Sequence, residues 1–184
     1  MNNYDETLVE IFETAAGKAF TSLINAHGEE HFYYFALLID ECLRPYVSAW
    51  SYEALEKFYK ENEVDDEEKD WYKWSGVESP YEAYGWDEYF AGYTHLLYER
   101  EQAADDEDTF CRECELRMDA AEEAMRRLDA KGIFGTGGAR EGVVITVECV
   151  PPERSNYDRV ARLNKTGLIE EFLEENTDLL EEDE

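Results

Sequence analysis

Apolar positions near the start of the chain repeat every three or four residues. The pattern covers residues 4–26, where the recurring apolar residues are Leu8, Ile11, Phe12, Ala15, Ala19, Phe20, Leu23 and Ile24. This spacing predicts an amphipathic helix that buries one side. Gly28 is placed to end the helix, because glycine adopts left-handed backbone conformations without a steric penalty.

A run of aromatic and aliphatic residues follows. Residues 31–40 read HFYYFALLID and are almost continuously apolar. An unbroken apolar run is typical of a strand that is buried on both faces, so we predict a central strand here. Arg44 and Pro45 mark a turn, and residues 45–50 are predicted to form the second strand of a hairpin. Ser51 is a suitable N-cap for a short helix that ends near Glu61.

The second half of the chain contains the strongest helical pattern. It covers residues 109–131, with apolar positions at Phe110, Cys114, Met118, Ala121, Met125 and Leu128. Thr109 or Asp108 is predicted to cap its start, and Gly132 to adopt the left-handed conformation after its end. A further helix is predicted over residues 86–103. Residues 143–150, VVITVECV, predict a third strand.

These elements predict an α+β fold. The expected sheet is small and mostly antiparallel, with strands at 31–40, 45–50 and 143–150. Helices 4–26, 86–103 and 109–131 are expected to pack mainly against one face. The length favours one domain, residues 1–175. Residues 176–184 are predicted to be a frayed acidic tail.

Charge limits the possible partners. The net charge is −29, and residues 1–108 contribute 27 acidic against 7 basic side chains, whereas residues 109–165 are balanced. Such a field repels phosphate backbones and anionic lipid surfaces, so neither nucleic acid nor membrane is an expected partner. It attracts basic proteins. Acidity that serves solubility alone is the alternative, and the oligomeric state is left open.

Two acidic segments and a group of aromatic residues form the predicted partner-binding surface. Residues 61–70 carry seven acids, residues 105–108 form a second acidic loop, and tryptophans follow the first loop directly. Aromatic side chains beside charge are typical of binding hot spots, although a small domain also uses them as core. The predicted contact residues are Asp65, Asp66, Glu67, Glu68, Asp70, Trp71, Trp74, Asp105 and Asp106.

Neither a metal nor a cofactor is predicted. Cys111 and Cys114 have CxxC spacing, but no second cysteine pair completes a zinc site and no strand precedes them. His27 and His31 match a zinc-peptidase spacing that requires one continuous helix, whereas Gly28 predicts a turn. Residues 1–13 lack the apolar run of a secretory signal, and no segment reaches the roughly 20 apolar residues of a membrane span. A cytoplasmic protein with free thiols is therefore expected.

An enzymatic site would have to be assembled from scattered residues. His95, Glu99 and Arg140 are the candidates, and nothing in the sequence brings them together. With 46 acidic residues, close carboxylate pairs are uninformative. We expect no carboxylate to stand in the apolar surroundings that would raise its pKa.

Several segments resemble the uncharacterised bacterial family DUF4303. They are residues 32–39 (FYYFALLI), Ser51–Leu55, Trp74-Ser75, residues 128–135 (LDAKGIFG) before a strand, and residues 161–164 (ARLN). The resemblance implies a compact cytosolic bacterial protein, with immunity against toxins as one role. It transfers no catalytic motif. Two hypotheses follow: an acidic interaction protein that neutralises a basic toxin, or an enzyme of unknown reaction.

Overall fold

The computed structural model describes residues 4–176. The helices and strands are, in order, α1 (Glu6–Ala26), β1 (Phe32–Ile39), β2 (Pro45–Ser51), α2 (Tyr52–Glu61), α3 (Lys69–Lys73), α4 (Trp86–Tyr89), α5 (Thr94–Ala103), α6 (Glu107–Ala130), α7 (Gly138–Glu141), β3 (Val144–Cys149), α8 (Arg154–Leu163) and α9 (Ile169–Glu175). The predicted tail lies outside the described residues except for Asn176. That residue is buried, and its amide donates to the carbonyl of Phe172.

The three predicted strands form one sheet in the order β2-β1-β3, with β1 in the centre as expected. The α+β class is confirmed, but the sheet is mixed. β2 is antiparallel to β1, whereas β3 is parallel to β1, with Ala36 opposite Thr146. A parallel neighbour requires a long crossover, and the chain between β2 and β3, which contains α6, supplies it. The strand patterns carried no information on this direction.

One face of the sheet carries the larger core, and we call it the first face. Phe35 and Leu37 of β1 and Val147 of β3 point into it, and all three are almost fully buried. The long helices α1 and α6 contribute most of the remaining apolar side chains, as their helical periodicity predicts. These are two of the three helices that were expected to pack mainly against one face.

The opposite face, the second face, is also covered, as the unbroken apolar run of β1 predicted, although the helices were expected to pack mainly against one face. Tyr34, Ala36 and Leu38 of β1 are completely buried on it. Short elements provide the cover, namely α2, α8, α9 and the segment around Trp74. A strand without polar alternation requires cover on both faces, so this arrangement follows from the composition of β1. The covering helices α2, α8 and α9 are only seven to ten residues long.

The predicted helix over residues 86–103 is interrupted. α4 ends at Tyr89, a 3₁₀ turn spans Ala91–Tyr93, and α5 starts at Thr94. Gly92 lies inside this turn, where it lowers the helical preference of the chain. Only Phe90 and Leu97 are buried in the region, so tertiary packing provides little support for a continuous helix.

The ends of α6 follow the predicted chemistry, with a shift of two to three residues at its start. Asp106 caps the helix: its carboxylate accepts from the backbone N–H of Thr109 at 2.8 Å, and the Thr109 hydroxyl accepts from the N–H of Asp106. This capping box replaces the predicted cap at Thr109 or Asp108, because only Asp106 has the extended backbone that a cap requires. Gly132 has a φ of 77°, as predicted for the residue after the helix.

A buried arginine ties α6 to its surroundings. Arg117 is 1% exposed, and its guanidinium donates to the Glu113 carboxylate and to the carbonyls of Leu43 and Leu97. Arg100 of α5 binds the same Glu113 through two hydrogen bonds of 2.8 and 2.9 Å. The network joins α5, α6 and the loop before β2.

Replacing Arg117 by methionine should destabilise the protein by about 3 kcal/mol or more, since buried carbonyls lose their donors and one charge of the network is removed. Arg126→Met on the same helix is the matched control. Arg126 is half exposed, and loss of its ion pairs should cost less than about 1 kcal/mol. Urea denaturation measures both values. Equal destabilisation of the two variants would contradict the structural role of Arg117.

Candidate functional site

A pocket of about 170 Å³ opens on the second face of the sheet. Residues from α3, β3, α8 and α9 line it, and those that matter chemically are Trp71, Trp74, Glu148, Asn156, Tyr157 and Phe172. Asn156 fixes the geometry, because its side chain accepts from the N–H of Cys149 and donates to the carbonyl of that residue. The start of α8 is thereby held against the end of β3. We call this cavity the Glu148 pocket.

Glu148 is the acidic residue of the pocket. It lies on β3 opposite Leu38, and strand alternation turns its side chain toward the second face. The hydroxyl of Tyr34 on the neighbouring strand donates to its Oε1 atom. Protein atoms surround the carboxyl closely, and the part of the side chain that remains accessible lines the pocket.

Burial raises the pKa of Glu148 to about 7. The hydrogen bond from Tyr34 and the nearby Thr146 hydroxyl oppose this rise, but loss of hydration outweighs them because an isolated carboxylate is poorly stabilised away from water. The group therefore changes its charge near neutral pH. Our expectation that no carboxylate stands in apolar surroundings is wrong for this residue.

Thr146 is the second polar residue on this side of β3. It is fully buried, and its hydroxyl has no hydrogen-bond partner of normal geometry among the described residues. Buried hydroxyls are nearly always hydrogen-bonded, so an unpaired one next to Glu148 marks a polar spot in an otherwise apolar layer.

Aromatic side chains form the walls of the pocket. Trp71 is 54% exposed at its rim, whereas Trp74 is only 5% exposed. The indole N–H of Trp74 donates to Oε2 of Glu175 at 2.6 Å, which fixes the ring. The Phe172 ring contacts Trp74 edge-on at 5.1 Å and lies 6.1 Å from Tyr157. The walls are thus preformed, apart from the exposed Trp71.

A lysine next to the pocket is already neutralised. Lys73 lies 4.9 Å from the centre of the Trp74 ring, and its ammonium group pairs with Glu175 at 2.7 Å and with Glu171. Two carboxylates for one ammonium leave this corner with a net negative charge. Trp74 therefore already packs against a cation inside the fold.

The first acidic loop borders the pocket. Asp65, Asp66, Glu67 and Glu68 are exposed between α2 and α3, and Asp70 is exposed in the first turn of α3. Asp66 forms an ion pair with Lys69, while Trp71 follows immediately. Of the predicted tryptophans, Trp71 is available at the surface and Trp74 is reachable only through the pocket.

The second acidic loop lies elsewhere. Asp105 is exposed, and Asp106 is the N-cap of α6, which packs on the first face. α2 belongs to the second face, and Trp71 of α3 lines the pocket there. The two loops therefore adjoin helices that cover opposite faces of the sheet.

The scattered candidates for catalysis do not converge. His95 and Glu99 form an exposed pair at 3.5 Å on α5. Arg140 is instead held by Asp129 at 2.5 Å and by the Asn164 side chain at 3.0 Å. Each group is satisfied by its own neighbours.

The motifs weighed for metal binding take structural positions. α1 ends at Ala26 and β1 starts at Phe32, so the two histidines do not share a helix, as the glycine between them predicted. His27 pairs with Glu30 and His31 with Glu53. Across residues 4–176, no group of three or more His, Cys, Asp or Glu side chains is arranged to hold a metal ion. No helix in that range has the length and apolar character needed to cross a membrane.

Sequence reasoning missed Glu148, Thr146, Tyr34 and Tyr157. A signal was present, because VVITVECV places its two polar residues, Thr146 and Glu148, at alternate positions of a buried strand. Alternation puts both on one face, which an edge strand can leave open to solvent. Only the covering helices turn that face into a pocket, and no local pattern shows them.

The molecule is thus an acidic α+β domain with a mostly apolar pocket on its second face that contains the carboxyl of Glu148. A family model described as a domain of unknown function, DUF4303, matches residues 12–165. The chain belongs to this family, which confirms the resemblance drawn from its motifs. Searches of the curated proteins and of the solved structures found no match.

Replacing Glu148 by glutamine should stabilise the protein in a pH-dependent way. The folded-state pKa lies above the unfolded value, so the folded state holds the proton between about pH 4.5 and 7, and wild-type stability falls as the pH rises through this interval. Glutamine has no charge to desolvate and can still accept from Tyr34. The free energy of unfolding of Glu148→Gln, relative to that of wild type, should be about 2 kcal/mol larger at pH 8 than at pH 5.

Urea denaturation at the two pH values measures this difference. Glu29→Gln, at an exposed position, is the control and should change stability by less than about 0.5 kcal/mol at either pH. An advantage of Glu148→Gln that does not vary with pH would show that Glu148 titrates normally.

Proposed function

We propose that this protein is a non-catalytic, acidic interaction domain that binds a basic protein. It acts in the cytoplasm and inhibits its partner, in the way an immunity protein neutralises a bacterial toxin. The observation that carries the proposal is the exposed Trp71, which stands between the first acidic loop and the Glu148 pocket.

Charge supports a basic partner. The first 108 residues carry a net charge of −20, and the loop over 61–70 is the densest run of acids in that part of the chain. A field of this sign speeds the encounter with a cationic surface and slows that with anionic ones. Because Asp65, Asp66, Glu67 and Glu68 are held between two helices, a partner can use them without ordering a long segment.

The aromatic residue supports a specific contact rather than attraction alone. Large exposed aromatic side chains provide much of the binding energy in interfaces, and Trp71 is more than half exposed next to a concave site. All four cysteines are free thiols, which is typical of a reducing compartment and supports action in the cytoplasm.

Reversing the charge of the first acidic loop should slow the binding of a basic probe. In a variant with Asp65, Asp66, Glu67 and Glu68 changed to Lys, we expect the association rate with an oligo-arginine peptide at low salt to fall about tenfold or more. The control carries the same charge change at other exposed acids, Glu10, Glu29, Asp87 and Glu88. The association rate of this control should fall much less.

Stopped-flow measurement of Trp fluorescence provides the rates, and the wild-type rate should decrease as salt rises. Equal slowing of the two variants would mean that total charge, and not this surface, governs binding. An unchanged rate in both, with no salt dependence, would assign the acidity to solubility. An inhibitor of a basic toxin should, in addition, lose its protective effect in cells when the loop is reversed.

A further inference from the structure

Within the described residues, Glu148 has no lysine or arginine beside it, unlike Glu113, Glu122 and Glu175. Glu113 is held by Arg100 and Arg117, and Glu122 by Arg126 and Arg162. Glu175 is likewise held by Lys73. The Tyr34 hydroxyl donates to Oε1 of Glu148, and the Thr146 hydroxyl lies beside the same carboxyl.

An uncompensated carboxylate in an apolar layer costs free energy, and a cation from outside would remove that cost. The charged groups nearest to the pocket do not provide one. Lys73 is bound by two carboxylates, and Arg159 donates to Ser155 and Asn156. Tyr34 and Tyr157 are neutral at physiological pH. The missing partner of Glu148 is therefore a positive charge.

The size of the pocket restricts the form of that cation. Its volume of about 170 Å³ lies below the range of about 300–1,000 Å³ that is typical of pockets for drug-sized ligands. One amino-acid side chain is a suitable occupant, whereas a nucleotide or an oligosaccharide is too large.

The walls favour a flat cation. Indole and phenol rings from Trp71, Trp74 and Tyr157 line the same pocket as the carboxyl of Glu148. A guanidinium group stacks on aromatic faces and donates several N–H groups in one plane, while an ammonium group is a compact and strongly hydrated charge. Arginine therefore fits this combination of aromatic walls and a carboxylate without a neighbouring cation better than lysine.

We propose that the Glu148 pocket receives an arginine side chain of the basic partner, with Glu148 as its counter-ion and Trp71 closing over it at the rim. The proposal rests on the proposed function and makes it more specific. The acidic loop attracts the partner, and the pocket selects one side chain.

The test uses small probes, so that the pocket is examined separately from the loop. N-acetyl-arginine amide is titrated into the full chain at pH 8, where Glu148 is ionised, and the indole N–H signals of Trp71 and Trp74 are followed by NMR. The citrulline analogue has the same shape without the charge. We expect millimolar binding of the arginine probe and about tenfold weaker binding of citrulline.

Glu148→Gln should weaken binding of the arginine probe by about tenfold or more, because the counter-ion is lost. Loss of folding would not explain this result, since the variant is expected to be at least as stable as wild type. Trp71→Ala, at an exposed position, should also weaken it. The control with Glu10, Glu29, Asp87 and Glu88 changed to Lys should leave the binding constant within about twofold, since screening weakens distant surface charges.

Equal binding of arginine and citrulline, or full affinity in Glu148→Gln, would overturn the assignment of the pocket. If the acidic loop still controlled association of the oligo-arginine peptide in that case, the proposed function would stand without it. The reverse result is arginine binding in the pocket with no effect of charge reversal in the acidic loop. It would support the arginine site and show that the acidic loop is not part of the interface.

Discussion

Burial of β1 on both faces is the constraint on which the rest of the structure depends. Seven of its eight residues are buried, and Tyr34, Ala36 and Leu38 on one side are as inaccessible as Phe35 and Leu37 on the other. A single pair of long helices covers only one face of a sheet. The chain must therefore supply a second layer of cover. Short helices from two parts of the sequence form it: α2 and α3 come before α6, and α8 and α9 come after β3.

The second layer creates the pocket. β3 runs parallel to β1, which places Thr146 and Glu148 beside Ala36 and Leu38 on the second face. Short helices and the Trp74 segment leave a gap there that long helices with regular apolar faces would close. Glu148 is consequently a carboxylate whose hydration is removed by elements that bring no arginine or lysine to it. Among the residues that the structure describes, Glu148 therefore lacks the ion pairs that Glu113 and Glu122 of α6 form with arginines of the same helix.

Local patterns predicted the elements well wherever one periodicity dominates. α1, α6 and the three strands follow from apolar spacing, and Ser51 and Gly132 take their predicted roles at helix ends. Two features could not be obtained in this way. The parallel direction of β3 depends on the path of a long crossover, and the pKa of Glu148 depends on helices distant in sequence. The exposed Trp71 and its acidic neighbours were predicted, but their relation to a pocket was not.

The central claim is that Glu148 is a desolvated carboxylate without an internal counter-ion. Carbon-13 NMR of the glutamate side-chain carboxyl groups, with Glu148 assigned by its absence in Glu148→Gln, measures its titration directly. A desolvated Glu148 should titrate with a midpoint at about pH 7. A midpoint at about 4.5, the ordinary glutamate value, would show that the carboxyl is hydrated or paired, and would contradict the account.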